Sequence, residues 1–317
     1  MAHFLDWVYL ASTLNQPLFA EGWGDIFQMK ALSPQGLDEI EDISMTSDGP
    51  WTAIPNGYFK HVSFSSPYKH KNFPKECSLV PTAIYSPHKN LKKIKKLVIL
   101  IPASGDEGYS QRTPVARMLL REGIGSVMAE GPYYGKRRPE GQTGPCLRTV
   151  GDLGHLGLAT VAESRSIAAY FRKSGIKSIG YAGISRGGQL AVMAASVTRF
   201  ELSVTSLVGS FSAAPIFTKG LMSKRVVWDG LPHPRGSQDA MAEALEFSNV
   251  YHYPRPVSPK RISIIGANSD GYVEPAWVES LHRYVPDSDI CWVPGGHVSA
   301  YVFSRRLYAR AIAKVLG

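Results

Sequence analysis

Ser185 is the first residue in this chain whose setting could support chemistry. It lies in Gly183-Ile184-Ser185-Arg186-Gly187, between the apolar run SIGYAG and the Ala-rich stretch RGGQLAVMAASV. A serine hydroxyl is a poor nucleophile at neutral pH. It needs a base, an acid to orient that base, and donors for the oxyanion that forms. The Gly-x-Ser-x-Gly string arises by chance about one time in ten in a chain this long, so its context has to carry the weight. Here a strand precedes it and a helix follows. Small flanking residues let strand and helix approach while the serine takes a strained conformation that pushes its oxygen out. The bland alternative is a glycine-rich turn holding a structural serine.

The partners are sought at the C-terminal ends of parallel strands, where side chains converge on the ligand crevice. His297 follows the strand-like DICWVP in Pro294-Gly295-Gly296-His297, and it alone among nine histidines has that address. His282 falls in a helix, His233 and His252 lie in an insertion, and His155 and His61 have no placed partner. Asp270 follows RISIIGA and is the candidate acid, holding the His297 tautomer and stabilising its imidazolium. Glu274 and Asp289 compete, the first inside the next helix and the second opening a strand. Serine, acid, histidine is the chain order of α/β-hydrolases. For the oxyanion hole, the backbone N–H of Arg186 is one donor. The loop Pro102-Ala103-Ser104-Gly105-Asp106 supplies the other, with Ser104 the expected residue and Ala103 the fallback.

The elements needed to position these residues are visible in the pattern. From Leu97 onward, short apolar strands (97–101, 124–130, 178–183, 204–212, 261–267, 289–294) alternate with helical stretches (111–121, 155–174, 186–198, 274–284, 301–315). That alternation marks a parallel sheet covered on both faces. Residues 58–64 and 77–85 add two antiparallel strands, for about eight in all. Residues 1–55 read as an N-terminal extension packed on a domain spanning 56–317. The stretch from about 213 to 259 is too long for a plain crossover and reads as a cap over the site. With Phe211 just before it, its apolar residues include Ile216, Phe217, Leu221, Met222, Val226, Val227 and Trp228. Of these, Phe217, Leu221 and Trp228 are expected to touch substrate. Tyr133, in the Pro-Tyr-Tyr-Gly string 132–135, is expected to line the site or shape the sheet edge.

With 44% apolar and 19% charged residues the composition is that of a soluble globular protein, and no run is long enough to span a bilayer. The first 24 residues carry acid and no Lys or Arg, unlike a secretory signal or a transit peptide. That favours an intracellular, cytoplasmic protein, with a mitochondrial or membrane-surface location left open. Cys77, Cys146 and Cys291 are odd in number and widely spaced, which argues against disulfides and against zinc. No metal or cofactor is expected. The net charge of +9 gathers in 89–96 (KNLKKIKK) and 136–138. Without aromatic platforms it does not indicate nucleic acid, whereas contact with an anionic membrane fits it better.

Several separated strings then identify a family: EGWG at 21–24, ILIPASGDEGYSQR at 99–112, EGPYYGKRRP at 130–139, GISRGGQLA at 183–191, FTKGLMSK at 217–224, DGYVEPAWVESL at 270–281 and VPGGHVSAYVF at 293–303. In their order along the chain they resemble the α/β-hydrolase-domain-containing 18 family. The resemblance implies an α/β-hydrolase fold, and it puts the family's serine, aspartate and histidine on Ser185, Asp270 and His297. The insertion departs from it, being shorter than in animal members. The expected activity is cofactor-free hydrolysis of an acyl ester, of lipid type because the cap is apolar, with the oligomeric state open. Two rivals stand beside it: a peptidase or amidase of the same fold, and a hydrolase-fold protein that binds a small molecule without turnover.

Overall fold

The computed structural model describes residues 2–26 and 39–317. Part of the expected N-terminal extension, residues 27–38, lies outside the described residues. The strands are β1 (Thr46–Ser47), β2 (Thr52–Ile54), β3 (Gly57–Ser65), β4 (Leu79–Ser86), β5 (Lys96–Ile101), β6 (Gly125–Ala129), β7 (Ser178–Ile184), β8 (Ser203–Leu207), β9 (Ile262–Ala267) and β10 (Asp289–Val293). The helices are α1 (Phe4–Thr13), α2 (Thr113–Arg121), α3 (Val150–Lys173), α4 (Arg186–Ser196), α5 (Ala214–Thr218), α6 (Ser237–Ala244), α7 (Pro275–Tyr284), α8 (His297–Phe303) and α9 (Arg305–Leu316).

The strands form one ten-stranded sheet in the order β1-β3-β4-β6-β5-β7-β8-β9-β10, with β2 also on β3. From β6 to β10 neighbours run parallel, while β4, β3, β1 and β2 add antiparallel pairs at one edge. The sequence predicts about eight strands; the additional two, β1 and β2, are too short to show alternation. They lie in the stretch read as an extension and pair with β3.

Both faces of the parallel region are covered, which is why its strands read as unbroken apolar runs. On one face Leu97, Ile99, Tyr181 and Ile264 pack with residues of α3, α4 and α7. On the other, Val98, Leu100, Ala182 and Ile265 pack with α2 and α9. Successive buried residues point to opposite faces, at the two-residue period of a strand.

The helix bounds differ from expectation at two places that matter. α3 begins at Val150 rather than 155, because Thr149 and Asp152 form a reciprocal capping box ahead of a glycine-rich first turn. The C-terminal helix begins at His297 and is broken at Ser304 into α8 and α9. His297 is therefore the first residue of a helix and not part of the preceding loop. β8 also ends earlier than its apolar run, since Val208 turns out at φ 46°. β6 lies on one side of β5 and β7 on the other, so the chain reverses direction across the sheet at β5. The loops after β5 and β7 therefore flank the crevice at which open α/β sheets bind ligands.

Candidate active site

Ser185 joins β7 to α4 at φ 58° and ψ −124°, outside the regions a side-chain-bearing residue normally occupies. Its N–H donates to the Leu207 carbonyl of β8 at 2.8 Å, which holds the turn in place. The flanking glycines are required sterically. A Cβ on Gly183 would lie 2.1 Å from the Gly187 carbonyl carbon, and one on Gly187 would lie 2.6 Å from the Ile101 oxygen. β7, α4 and β5 can meet this closely only because neither residue has a side chain.

His297 Nδ1 is 2.7 Å from Asp270 Oδ2, with the carboxylate fully buried. The other Asp270 oxygen accepts the N–H groups of Tyr272 and Val273 at 2.8 and 2.7 Å, which fixes its rotamer. Glu274 stands just before α7, and Asp289 pairs with Lys314. Burial pulls the His297 pKa down. The Asp270 charge and hydrogen bond, with the Asp6 charge, push it up more strongly, so it ends above the ordinary 6.5.

Asp6, on α1, has no counterpart in the sequence reading. Its fully buried carboxylate accepts the N–H groups of Gly271, His297 and Val298 at 3.0, 3.0 and 2.9 Å. It caps the first turn of α8, where a negative charge is favoured, and ties the Asp270 loop to the His297 helix. The only sequence cue is an acid among apolar residues, which does not reveal a contact 291 residues away.

Next to Ser185 stands Arg186, one of the residues expected at the oxyanion hole. Its backbone N–H, first in α4, has no acceptor within its own helix. Its buried guanidinium donates to the Ala103 carbonyl at 2.9 Å and more weakly to Pro102 at 3.5 Å, and lies over the Tyr134 ring. Burial depresses the Arg186 pKa. The 103–104 peptide is trans, so with its carbonyl drawn to Arg186 the Ser104 N–H must point the opposite way.

Ser185, Arg186, Ala103, Ser104 and His297 all line one cavity of about 310 Å³, walled mainly by Leu153, Ile184, Ile216, Phe217, Met222, Tyr272, Val273 and Val302. Of the four residues expected to touch substrate, Phe217 is in this wall. Leu221 packs instead with Leu10 and Tyr272, Trp228 donates to the Ser223 carbonyl beside a separate shallow depression, and Tyr133 is fully buried in the core. The apolar composition of residues 213–259 does not say which side of each turn faces inward. Tyr9 and Val302, unanticipated, sit at the cavity's edge.

The Pro-Tyr-Tyr-Gly string has a structural role. Tyr133 takes φ 67° and donates its N–H to Cys77 Sγ, while Tyr134 supports Arg186. Just beyond it, Arg137 is fully buried, bonded to both Glu163 oxygens and to the Glu130 and Cys77 carbonyls, and Arg138 pairs with Glu107. The basic run 136–138 is therefore mostly internal wiring. Among the described residues no group of three or more His, Cys, Asp or Glu is placed to hold a metal ion, and no helix is long and apolar enough to cross a membrane.

A family model described as alpha/beta hydrolase domain containing 18 matches residues 16–241 and 235–317. Among solved structures the fold is similar to acetyl xylan esterase 1 from Thermoanaerobacterium sp. JW/SL YS485, at 14% identity and TM-score 0.60, covering 96% of this chain and 98% of that one. It is also similar to a cold-adapted esterase from an Arctic intertidal metagenomic library, at 14% identity and TM-score 0.54, covering 86% and 98%. A Pyrococcus furiosus esterase matches at 15% identity and TM-score 0.54, covering 88% and 99%. At such identities the likeness establishes the fold, that of an α/β-hydrolase.

Proposed function

The chain belongs to the α/β-hydrolase-domain-containing 18 family, and from that premise we propose that it hydrolyses acyl esters with Ser185 as nucleophile. The observation that carries this reading is the combination at one cavity wall: a serine held at φ 58° after β7, and a histidine bonded to a buried aspartate. Structural serines have no need of that strain.

In the proposed reaction the Ser185 Oγ proton passes to His297 Nε2 as Oγ bonds to the acyl carbon. The oxyanion is received by the N–H groups of Arg186 and Ser104. His297 then returns the proton to the departing alcohol oxygen as the acyl–oxygen bond breaks. Water attacks the acyl-serine by the same route reversed, and Asp270 keeps the imidazole in the required tautomer throughout. The wall around Ser185 is largely aliphatic and aromatic, which favours an apolar acyl group and so a lipid-type ester.

A fluorophosphonate probe is the direct test. The intact protein should be labelled and Ser185→Ala should not; equal labelling of the two, or none of either, overturns the reading. Against p-nitrophenyl esters, kcat/KM should rise from acetate to octanoate, and a preference for acetate would remove the lipid-type acyl group.

A further inference from the structure

α1 is built with its polarity reversed. Asp6, Leu10 and Thr13, at i, i+4 and i+7, form the buried face, while Phe4, Trp7, Val8, Ala11 and Leu14 form the exposed one. Surface helices ordinarily do the opposite. Phe4 is 73% exposed, and Phe303, at the end of α8 on which α1 packs, is 74% exposed. Val302 and Leu307 extend the apolar surface. Tyr9 from α1 and Val302 from α8 also line the cavity containing Ser185, so this surface forms the cavity's rim.

Cations border it. Lys224 stands 5.9 Å over the Trp7 ring, and Arg306 and Arg310 are exposed on α9 beside Leu307. From 297 to the last residue the sequence holds Arg305, Arg306, Arg310 and Lys314 and no carboxylate side chain. We propose that this surface docks on an anionic lipid bilayer, with the cavity mouth turned toward it. Exposed Trp, Phe and Leu on a short helix suit the acyl–headgroup boundary, and flanking Lys and Arg suit anionic headgroups. A second copy fits less well, because a self-complementary contact would bring Arg306, Arg310 and Lys224 of both copies together. The basic loop 89–96 is not the docking element: it precedes β5, roughly 20 Å of strand from the loop that follows it at the cavity.

The docking surface does not depend on Ser185 being catalytic, and the experiment separates the two. Full-length Ser185→Ala protein should float with vesicles of three parts phosphatidylcholine to one part phosphatidylglycerol and detach as salt is raised. Adding Trp7→Ser and Phe303→Ser should lower binding by about tenfold or more. With Ser185 restored, that double variant should hydrolyse a soluble short-chain ester as the parent does. If it melts early, Leu14→Ser with Leu307→Ser replaces it. Failure of the protein to float, equal flotation of the variant, or a parent dimer that the variant dissolves would overturn the proposal. A parent that floats but hydrolyses no ester would instead overturn the catalytic reading.

Discussion

Arg186 directs its guanidinium at the backbone rather than at the cavity. By holding the Ala103 carbonyl it sets which way the Ser104 N–H points, so in the proposed mechanism its side chain is a positioning group for the oxyanion site. Arg186→Met keeps its own N–H but releases that carbonyl; kcat should fall about 10- to 100-fold with KM little changed, and Arg186→Lys should recover part of it. A purely packing role would lower the melting temperature and leave kcat of the folded protein intact. His297 must lose a proton to act as base, and its pKa lies above the ordinary 6.5. Hence kcat/KM on a soluble ester should be low in acid and rise through an apparent pKa above that value. Asp270→Asn, which deprives the imidazole of its orienting charge, should lower kcat by about 10⁴ in steady-state assays. At this scale the sequence was informative wherever strand-end logic applied, and the structure brings His297 and Asp270 into contact accordingly. The orientation of the Ser104 N–H is not legible in the sequence, because it depends on a tertiary contact. Leu221, Trp228 and Tyr133 were misplaced because an apolar residue does not announce which cavity, if any, it faces.

Among elements, the β7–α4 turn is the least tolerant of change. Gly183→Ala would drive a methyl group into the Gly187 carbonyl, with backbone on both sides and nothing flexible to yield. A loss of about 3 kcal/mol or more is expected, seen as a lowered urea midpoint, or as failure to accumulate folded protein. The parallel strands were legible because burial on both faces forces unbroken apolar runs. β1 and β2, at two and three residues, carry too little pattern for any periodicity to register. The early start of α3 was hidden by its glycines, which depress intrinsic helix preference until a capping box and packing override it. The outward-facing apolar side of α1 is not legible in the sequence, since periodicity gives a face and not the direction it points.

Across the whole molecule, buried charges connect segments that sequence distance separates. Arg137 and Glu163 join the loop after β6 to α3, and Arg137 also holds the Cys77 carbonyl ahead of β4. Glu163→Gln would leave the guanidinium buried with a neutral partner; a cost of about 3 to 5 kcal/mol is expected, measured by equilibrium denaturation. In the sequence Arg137 reads only as part of the basic run 136–138, because charge alone does not reveal burial. Asp6 spans farther still, bonding the amide of His297. That bond also has a place in time. On the ribosome the amide that Asp6 must hold is made 291 residues after it, an interval of roughly 15 to 60 s at ordinary rates of synthesis. A nascent chain that has made Ser185 but not His297 lacks the amide that Asp6 holds, so under the proposed mechanism the base is locked in place only after the nucleophile has been made.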